Sequence, residues 1–204
     1  VWSGMEGDMT TKIKEGSNPL VITFDDGYES NYIKAFPILK KHNIKASIGL
    51  IGYSLIRDMQ GDTGIIPRLD TKQIIEMQKS GLIDFQNHTY DLHYLTKKSI
   101  TGKRVGKGVL SYEGENTKKY KERVIRDTLI NHYFITYLTG GDSPEVFVYP
   151  YGDYNKIVTS VLKGLGYKKA LTTETGVANP SNKFNLKRIN IAQYTDIKEV
   201  LGGL

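Results

Sequence analysis

Cysteine is absent from this sequence, which excludes disulfide bridges, thiolate metal ligands and cysteine nucleophiles and leaves the redox compartment open. Long apolar runs are absent too, since none approaches the roughly 20 residues that a helix needs to cross a bilayer. No Pro-rich or Gly-rich linker, internal repeat or low-complexity segment divides the chain, so we expect one domain over residues 1–204. The chain begins at Val1 and not at methionine, so we expect a processed or trimmed fragment from which any upstream targeting sequence is missing.

The charge of the chain is weak evidence for a partner. Lysine and arginine number 28 against 22 acidic residues, a formal net charge of +6. This excess is compatible with an anionic partner such as a cell-wall polymer, a membrane surface or nucleic acid. Many of the basic residues fall between Lys97 and Lys121, where few aromatic side chains are interleaved as stacking platforms. We therefore expect a solvated basic loop there and no nucleic-acid partner.

Residues 20–27, LVITFDDG, predict a strand that carries two carboxylates at its end. The apolar, β-branched run stops at Phe24, and Asp25, Asp26 and Gly27 follow at once. Strand ends are where α/β folds keep their chemistry. Because neighbouring side chains of a strand diverge, one acid can bind a cation while the other stays free as a base. The alternative is a DG turn with two solvated acids.

Two of the four histidines follow a second short apolar segment. His88 and His93 lie in FQNHTYDLH, residues 85–93, just past an expected strand end, and could converge on Asp26. Two imidazoles and one carboxylate make a three-ligand metal site that leaves coordination positions for water and substrate. The alternative is two histidines in a polar loop. For His42 and His132 we expect surface or packing roles, at a helix end and within a helix.

A third stretch, FVYPYGDY at residues 147–154, completes a resemblance to the NodB-like polysaccharide deacetylases of carbohydrate esterase family four. The family's motifs occur here in order as TFDDG at 23–27, the histidine pair and FVYPYGDY. Four residues separate the two histidines, as in the branch that includes poly-N-acetylglucosamine deacetylases of bacterial biofilms. The resemblance covers about residues 18–192 and implies an α/β fold, a distorted (β/α) barrel.

The resemblance implies a hydrolase that removes N-acetyl groups from a β-linked N-acetylglucosamine polymer, namely poly-N-acetylglucosamine, a chitin-like chain or a peptidoglycan glycan. Asp26, His88 and His93 would bind one divalent ion, Zn²⁺ in preference to Ni²⁺, Co²⁺ or Fe²⁺. Such an ion lowers the pKa of a bound water and polarises a carbonyl. We expect an extracellular or cell-envelope protein whose partner is an acetylated polysaccharide, in association with a cell wall or membrane surface.

The resemblance also implies roles for residues outside the metal site. Asp25 would act as general base, and the backbone N–H of Tyr151 would help to hold the oxyanion. Pro150, Tyr151 and Arg188 would contact the substrate. For the Tyr151 side chain, packing on the mouth of the barrel is an alternative that is compatible with the catalytic role.

Two positions depart from the commoner pattern of the family. An arginine often stands two residues before the proline of the third motif, and Val148 stands there in this chain. Arg188 could supply the positive group that orients Asp25, or it could be an exposed arginine. Many members also carry a late histidine that protonates the leaving amine, whereas no histidine follows His132 here. Water or Asp153 would have to take its place.

Two other functions fit part of this pattern. Two histidines and one carboxylate also form the facial triad of non-haem iron oxygenases, although those ligands belong more naturally on an all-β scaffold than on alternating strands and helices. A glycan-binding module that keeps the fold and the metal without turnover is the other alternative, because of the missing arginine and histidine.

Periodicity and end signals predict the remaining elements. Helices are expected over 29–42, with a kink or late start at Pro37, over 71–80 with Asp70 as N-cap, over 116–138 and over 155–165. Strands are expected over 45–51, 82–85, 145–149, 168–173 and 186–191. Residues 1–18 form a lead-in, 52–69 an irregular loop at the rim of the active site, and 94–115 a mobile loop insertion with few residues to bury.

Overall fold

The computed structural model describes residues 20–59, 66–94, 97–98, 104–106 and 108–202. The expected lead-in over residues 1–18 lies outside these ranges. The strands are β1 (Ile22–Phe24), β2 (Ala46–Leu50), β3 (Ile83–Asn87), β4 (Lys97–Lys98), β5 (Arg104–Gly106), β6 (Val146–Val148), β7 (Lys169–Thr175) and β8 (Leu186–Arg188). The α-helices are α1 (Phe36–His42), α2 (Gly52–Met59), α3 (Thr71–Lys79), α4 (Thr117–Leu138), α5 (Lys156–Gly164) and α6 (Ile197–Gly202).

Six of the described strands form one parallel sheet in the order β1-β2-β3-β6-β7-β8. The sheet curls until its two edge strands approach each other. The Arg188 guanidinium of β8 reaches Thr23 Oγ1 in β1 at 3.3 Å and the carboxylate of Asp25 just after it. The predicted α/β fold, a distorted (β/α) barrel, is confirmed. Because the strands are parallel, their carboxyl ends meet at one edge of the sheet.

The core packs helices onto this sheet. All five residues of β2 are buried, as expected for a strand covered on both faces. One cluster joins β2 and β3 to α1, α3 and α4, and a second joins α4 and α5 to β6 and β7. Among the residues described, no helix combines the length and apolarity needed to cross a membrane.

Three helices begin where their capping residues predict. Asp70 accepts a hydrogen bond from the Gln73 N–H in a reciprocal capping box, Asn116 caps α4, and the Asn155 side chain accepts from two amides at the start of α5. The predicted late start at Pro37 is also confirmed, because Pro37 lies in the first turn of α1 after a π-helical turn over Asn31–Ala35.

Two expectations about local structure were wrong. Residues 52–59 form helix α2 and not a loop, because Leu55 is fully buried and the amides of Gly52 and Tyr53 bond to the loop that follows β3. Val109, in the segment expected to bury little, is fully buried. Tertiary contacts outweighed the local pattern at each position.

Asp84 is a half-buried titratable group in β3, away from the carboxyl ends of the strands. Burial raises the pKa of Asp84 to about 6, and hydrogen bonds from the side chains of Gln86 and Ser47 oppose this shift only in part. The ordinary pKa of the group is 3.8, so the folded state holds its proton more tightly than the unfolded state does. Stability is therefore lost as pH rises from about 4 through about 6.

Asp84→Asn is expected to raise the free energy of unfolding at pH 7.5 by about 1–3 kcal/mol, and to change it little at pH 4, where the acid is already protonated. Urea denaturation at both pH values measures the difference. The exposed Glu122→Gln is the control, expected to stay within about 0.5 kcal/mol of wild type at both. An equal loss of stability at both pH values would show that packing, and not charge, decides the effect.

Candidate active site

The carboxyl ends of the parallel strands bring together three residues that the sequence singled out. Asp26 follows β1, and His88 and His93 follow β3. The Asp26 Oδ1 atom lies 3.2 Å from His88 Nε2 and 3.3 Å from His93 Nε2. One ligand atom from each residue falls within 4.8 Å of the others. The expected convergence of these three side chains is therefore observed.

The DDG turn after β1 separates the two acids. Asp26 has a φ of 72°, in the left-handed region that aspartate tolerates better than most residues. Arg68 holds this turn, since its Nη1 donates to the Asp26 carbonyl at 2.7 Å while its guanidinium lies over the Tyr28 ring at 4.0 Å. Gly27 also has a positive φ, which favours glycine, and a Cβ there would lie 2.7 Å from Leu50 Cδ2 and displace that side chain.

The protonation of the histidines fits a bound cation. His88 Nδ1 lies 2.8 Å from the Val148 carbonyl, which can only accept, so Nδ1 carries a proton and Nε2 faces Asp26. Nε2 and Asp26 Oδ1, 3.2 Å apart, attract each other only with a proton or a cation between them. Burial, aided by the charge of His88, lowers the pKa of His93 to about 4.

Asp26 supplies the negative charge of this group. Burial opposes its ionisation, but the hydrogen bond and charge of His88 lower the pKa of Asp26 to about 2. Two imidazole nitrogens and one carboxylate oxygen are a donor set that zinc prefers, and the contact of His88 Nδ1 with the Val148 carbonyl fixes the orientation of one ring. The residues therefore fit a divalent cation.

Asp25 points away from this cluster to Arg188. The guanidinium donates to both carboxylate oxygens at 2.7 and 2.8 Å, and Arg188 Nε donates to the Thr172 carbonyl at 2.8 Å. Burial opposes ionisation of Asp25, but the hydrogen bonds of Arg188 and the charges of His88 and Arg188 hold its pKa below the ordinary value. Arg188 is thus the partner that orients Asp25, and the alternative of an exposed arginine was wrong.

The PYG turn after β6 lies beside the cluster of Asp26, His88 and His93. The Tyr151 ring centroid lies 4.5 Å from that of His93, and Tyr151 has a φ of 58°. Pro150 is buried at the start of the turn. Gly152 also has a positive φ, and a Cβ there would overlap Thr173, whose hydroxyl donates to the Tyr151 carbonyl. The turn is therefore held in one conformation against β7.

The other two histidines lie apart from this cluster. His42 is exposed in the last turn of α1, and His132 is partly buried in α4 with its Nδ1 3.3 Å from the Tyr167 hydroxyl. Both positions agree with the surface and packing roles expected from the sequence.

Sequence reasoning missed three residues that contact the site or its loops. Asp127 and Asn131 are buried in α4, on the same side of the helix as apolar residues about one turn away, such as Val124 and Ile135. A polar residue on a core-facing stripe is a signal that could have revealed them. Arg68 gave no such signal, because it lies 42 residues from Asp26 in an irregular segment.

Sequence comparison identifies relatives of the chain. A model of the polysaccharide deacetylase family matches residues 12–170. Poly-beta-1,6-N-acetyl-D-glucosamine N-deacetylase of Escherichia coli (strain K12) is 32% identical over 203 residues, which cover 90% of this chain and 30% of that protein. The protein of the same name from Staphylococcus aureus (strain MSSA476) is 32% identical over 174 residues, covering 84% and 53%. The chain spans about a third and about half of these two relatives.

Comparison with solved structures also identifies a deacetylase as similar to this chain. The BpsB deacetylase domain from Bordetella bronchiseptica superposes with a TM-score of 0.71 at 26% identity, covering 84% of this chain and 70% of that one. The family match extends over most of the sequence and includes the DDG turn, both histidines and the PYG turn. The chain belongs to the polysaccharide deacetylase family.

Proposed function

We propose that the chain hydrolyses N-acetyl groups of a β-linked N-acetylglucosamine polymer, with poly-β-1,6-N-acetylglucosamine as the first candidate. The observation that carries the proposal is the cluster of Asp26, His88 and His93 with a second carboxylate, Asp25, held beside it but turned away. The names of the relatives from E. coli and S. aureus support the choice of polymer.

Asp26, His88 and His93 are proposed to hold one divalent cation, Zn²⁺ in preference to Ni²⁺, Co²⁺ or Fe²⁺. When bound, such an ion lowers the pKa of water and polarises the acetyl carbonyl. The chain's contribution is to present three donor atoms in one place, with the tautomer of His88 fixed by Val148.

Asp25 is proposed as the general base. Its lowered pKa keeps the carboxylate ionised at neutral pH. A carboxylate has about four acceptor sites, and Arg188 occupies one on each oxygen, so a water can still give a proton to Asp25. Arg188 fixes the direction in which the remaining lone pairs point. General base catalysis of this kind contributes about 10²–10⁴-fold.

The PYG turn is proposed to support the acetyl group. The backbone N–H of Tyr151 would donate to the oxyanion, a contact typically worth about 10²–10³-fold in rate. Pro150 and Tyr151 would line the substrate position, and Tyr151 is partly exposed beside His93. Contact of Arg188 with substrate remains a prediction, since Asp25, Thr172 and Thr23 all take hydrogen bonds from its guanidinium.

The leaving amine needs a proton, and no histidine follows His132 to supply it. Asp25 can return the proton that it accepted in the first step, which balances the hydrolysis without a second acid. Asp153, at the end of the PYG turn, and water are the other candidate donors.

Acetate release tests the proposal. The protein is incubated with poly-β-1,6-N-acetylglucosamine, chitin oligomers, peptidoglycan and acetylxylan, with and without a chelator and then with Zn²⁺ restored. We expect release from the first substrate, loss with chelator and recovery with Zn²⁺. Glycan binding without acetate release under any of these metal conditions would indicate a binding module instead.

The cellular setting is proposed on the same basis. A polymeric glycan is modified where it is exported or assembled, so we place the chain in the cell envelope or outside the cell, in cell-wall or biofilm metabolism. Association with a cell wall or membrane surface is compatible with its net charge of +6. We also propose that residues 1–204 form a single domain.

A further inference from the structure

The loop between His88 and His93 is fixed through its backbone. Thr89, the first residue after His88, has a φ of 70°, which is rare for a β-branched residue and persists only where the surroundings impose it. Successive backbone groups of the loop are hydrogen-bonded to side chains or to α2: Thr89 N to Asn87 Oδ1, Thr89 O to Gly52 N, Tyr90 O to Tyr53 N, Tyr90 N to Asp127 Oδ1, and Asp91 N to Asp127 Oδ2.

Asp127 makes two of these bonds with one carboxylate. Its oxygens accept from Tyr90 N at 2.9 Å and from Asp91 N at 2.8 Å, and the residue is only 7% exposed. A buried carboxylate costs stability unless both oxygens are satisfied. Each amide bonds to its own carboxylate oxygen, whereas a carboxamide in the same orientation would turn its NH₂ group toward one of the two N–H groups.

The network continues one helical turn further along α4. Asn131 donates from its amide nitrogen to the Leu50 carbonyl at 2.8 Å and to Asn87 Oδ1 at 2.9 Å. Asn87 in turn donates to the carbonyl of Thr128 and the hydroxyl of Tyr167. A Cβ on Gly52 would overlap Asn131, so α2 and α4 can both approach the loop only with glycine there. The loop thus rests on a buried polar frame.

The two histidines depend on this frame to different degrees. His88 is held by the sheet, because its N–H donates to the Leu50 carbonyl at 3.1 Å and its ring to Val148. His93 lies beyond the bend, two residues after Asp91, and the bonds of Asp127 are the last of these backbone contacts before it. Loss of Asp127 should therefore displace His93 more than His88.

We propose that Asp127 is a positioning residue that sets the His88–His93 loop in its metal-binding shape before the cation arrives. This inference rests on the proposed metal site. It assigns to α4, a helix without a ligand or a proposed catalytic group, control over metal affinity. Outer-shell partners of metal ligands typically contribute 10–100-fold in affinity.

Zn²⁺ titration in competition with a chromophoric chelator tests this. Asp127→Asn keeps the shape of the side chain but offers one acceptor oxygen, and we expect the Kd for Zn²⁺ to rise about 10–100-fold. The visible absorption of the Co²⁺-substituted protein should change as well, because displacement of His93 alters the coordination geometry. Asp127→Ser, which is smaller and also has a single hydroxyl, serves if the asparagine variant does not fold.

Leu138→Ala is the matched control, since Leu138 is buried in the last turn of the same helix and packs in a cluster that contains no residue of the His88–His93 loop. It should lower the Tm of the metal-free protein while leaving the Kd for Zn²⁺ within about twofold. If Asp127→Asn lowers the Tm but leaves the Kd and the Co²⁺ spectrum as in wild type, Asp127 is structural only and the proposal fails. Failure of the wild-type protein to bind Zn²⁺ would instead overturn the proposed function, and the positioning role with it.

Discussion

Replacing Asp25 with asparagine is expected to lower acetate release by about 10²–10⁴-fold while bound metal stays near the wild-type level. The variant keeps the shape of the side chain but cannot accept a proton from water. Asp25 bonds to Arg188 and not to the histidines, so the ligand atoms of Asp26, His88 and His93 should remain in place. Acetate assays and metal analysis of the same preparation measure the two quantities together.

The exposed Asp196→Asn is the control for this variant, and both its activity and its metal content should equal those of wild type. Loss of metal from Asp25→Asn would make Asp25 a ligand, and the base would have to be sought elsewhere. Full turnover by Asp25→Asn would show that the mechanism is wrong, even if the metal site is right.

The parts of the site that could be predicted from sequence are those built by local rules. A run of apolar residues before DDG, and another before the first histidine, places Asp26 and His88 at strand ends. Parallel strands then bring these ends to one edge, so the cluster of Asp26, His88 and His93 follows from the strand assignments. The N-caps Asp70, Asn116 and Asn155 were predictable for the same reason, since each side chain bonds to amides two or three residues away.

Contacts between segments that are distant in the sequence could not be predicted from these local rules. The Arg188 contact with Asp25 spans 163 residues and depends on how far the sheet curls, which no local pattern encodes. Arg188 was considered only because Val148 stood where an orienting arginine was expected. Helix α2 was missed because its glycine, Gly52, indicated a loop, whereas the glycine is needed for close approach to Asn131.

The frame under the histidine loop explains why polar residues occupy the buried face of α4. Asp127 and Asn131 replace apolar side chains at core positions and so reduce the area of hydrophobic packing. Their hydrogen bonds to the loop and to β2 satisfy both Asp127 oxygens and the Asn131 amide nitrogen, and they fix a strained bend between His88 and His93. The helix thus loses some packing stability at these two positions, while the His88–His93 loop is held in a defined geometry. The Asp127 variants test this expectation.

His93→Ala is expected to remove most of the bound metal and to lower acetate release by about 10³-fold or more, because water activation and carbonyl polarisation are both lost with the cation. His93 Nε2 lies 3.3 Å from Asp26 Oδ1, and the low pKa of its ring, about 4, leaves it neutral and able to coordinate at pH 7. His42→Ala, at the exposed end of α1, is the control and should keep both metal and activity. Metal analysis after gel filtration and acetate assays with added Zn²⁺ measure the two effects.

Full metal occupancy in His93→Ala would exclude that residue from the site. Recovery of activity at high Zn²⁺ concentration would show that His93 contributes affinity alone, with Asp26 and His88 sufficient for the chemistry.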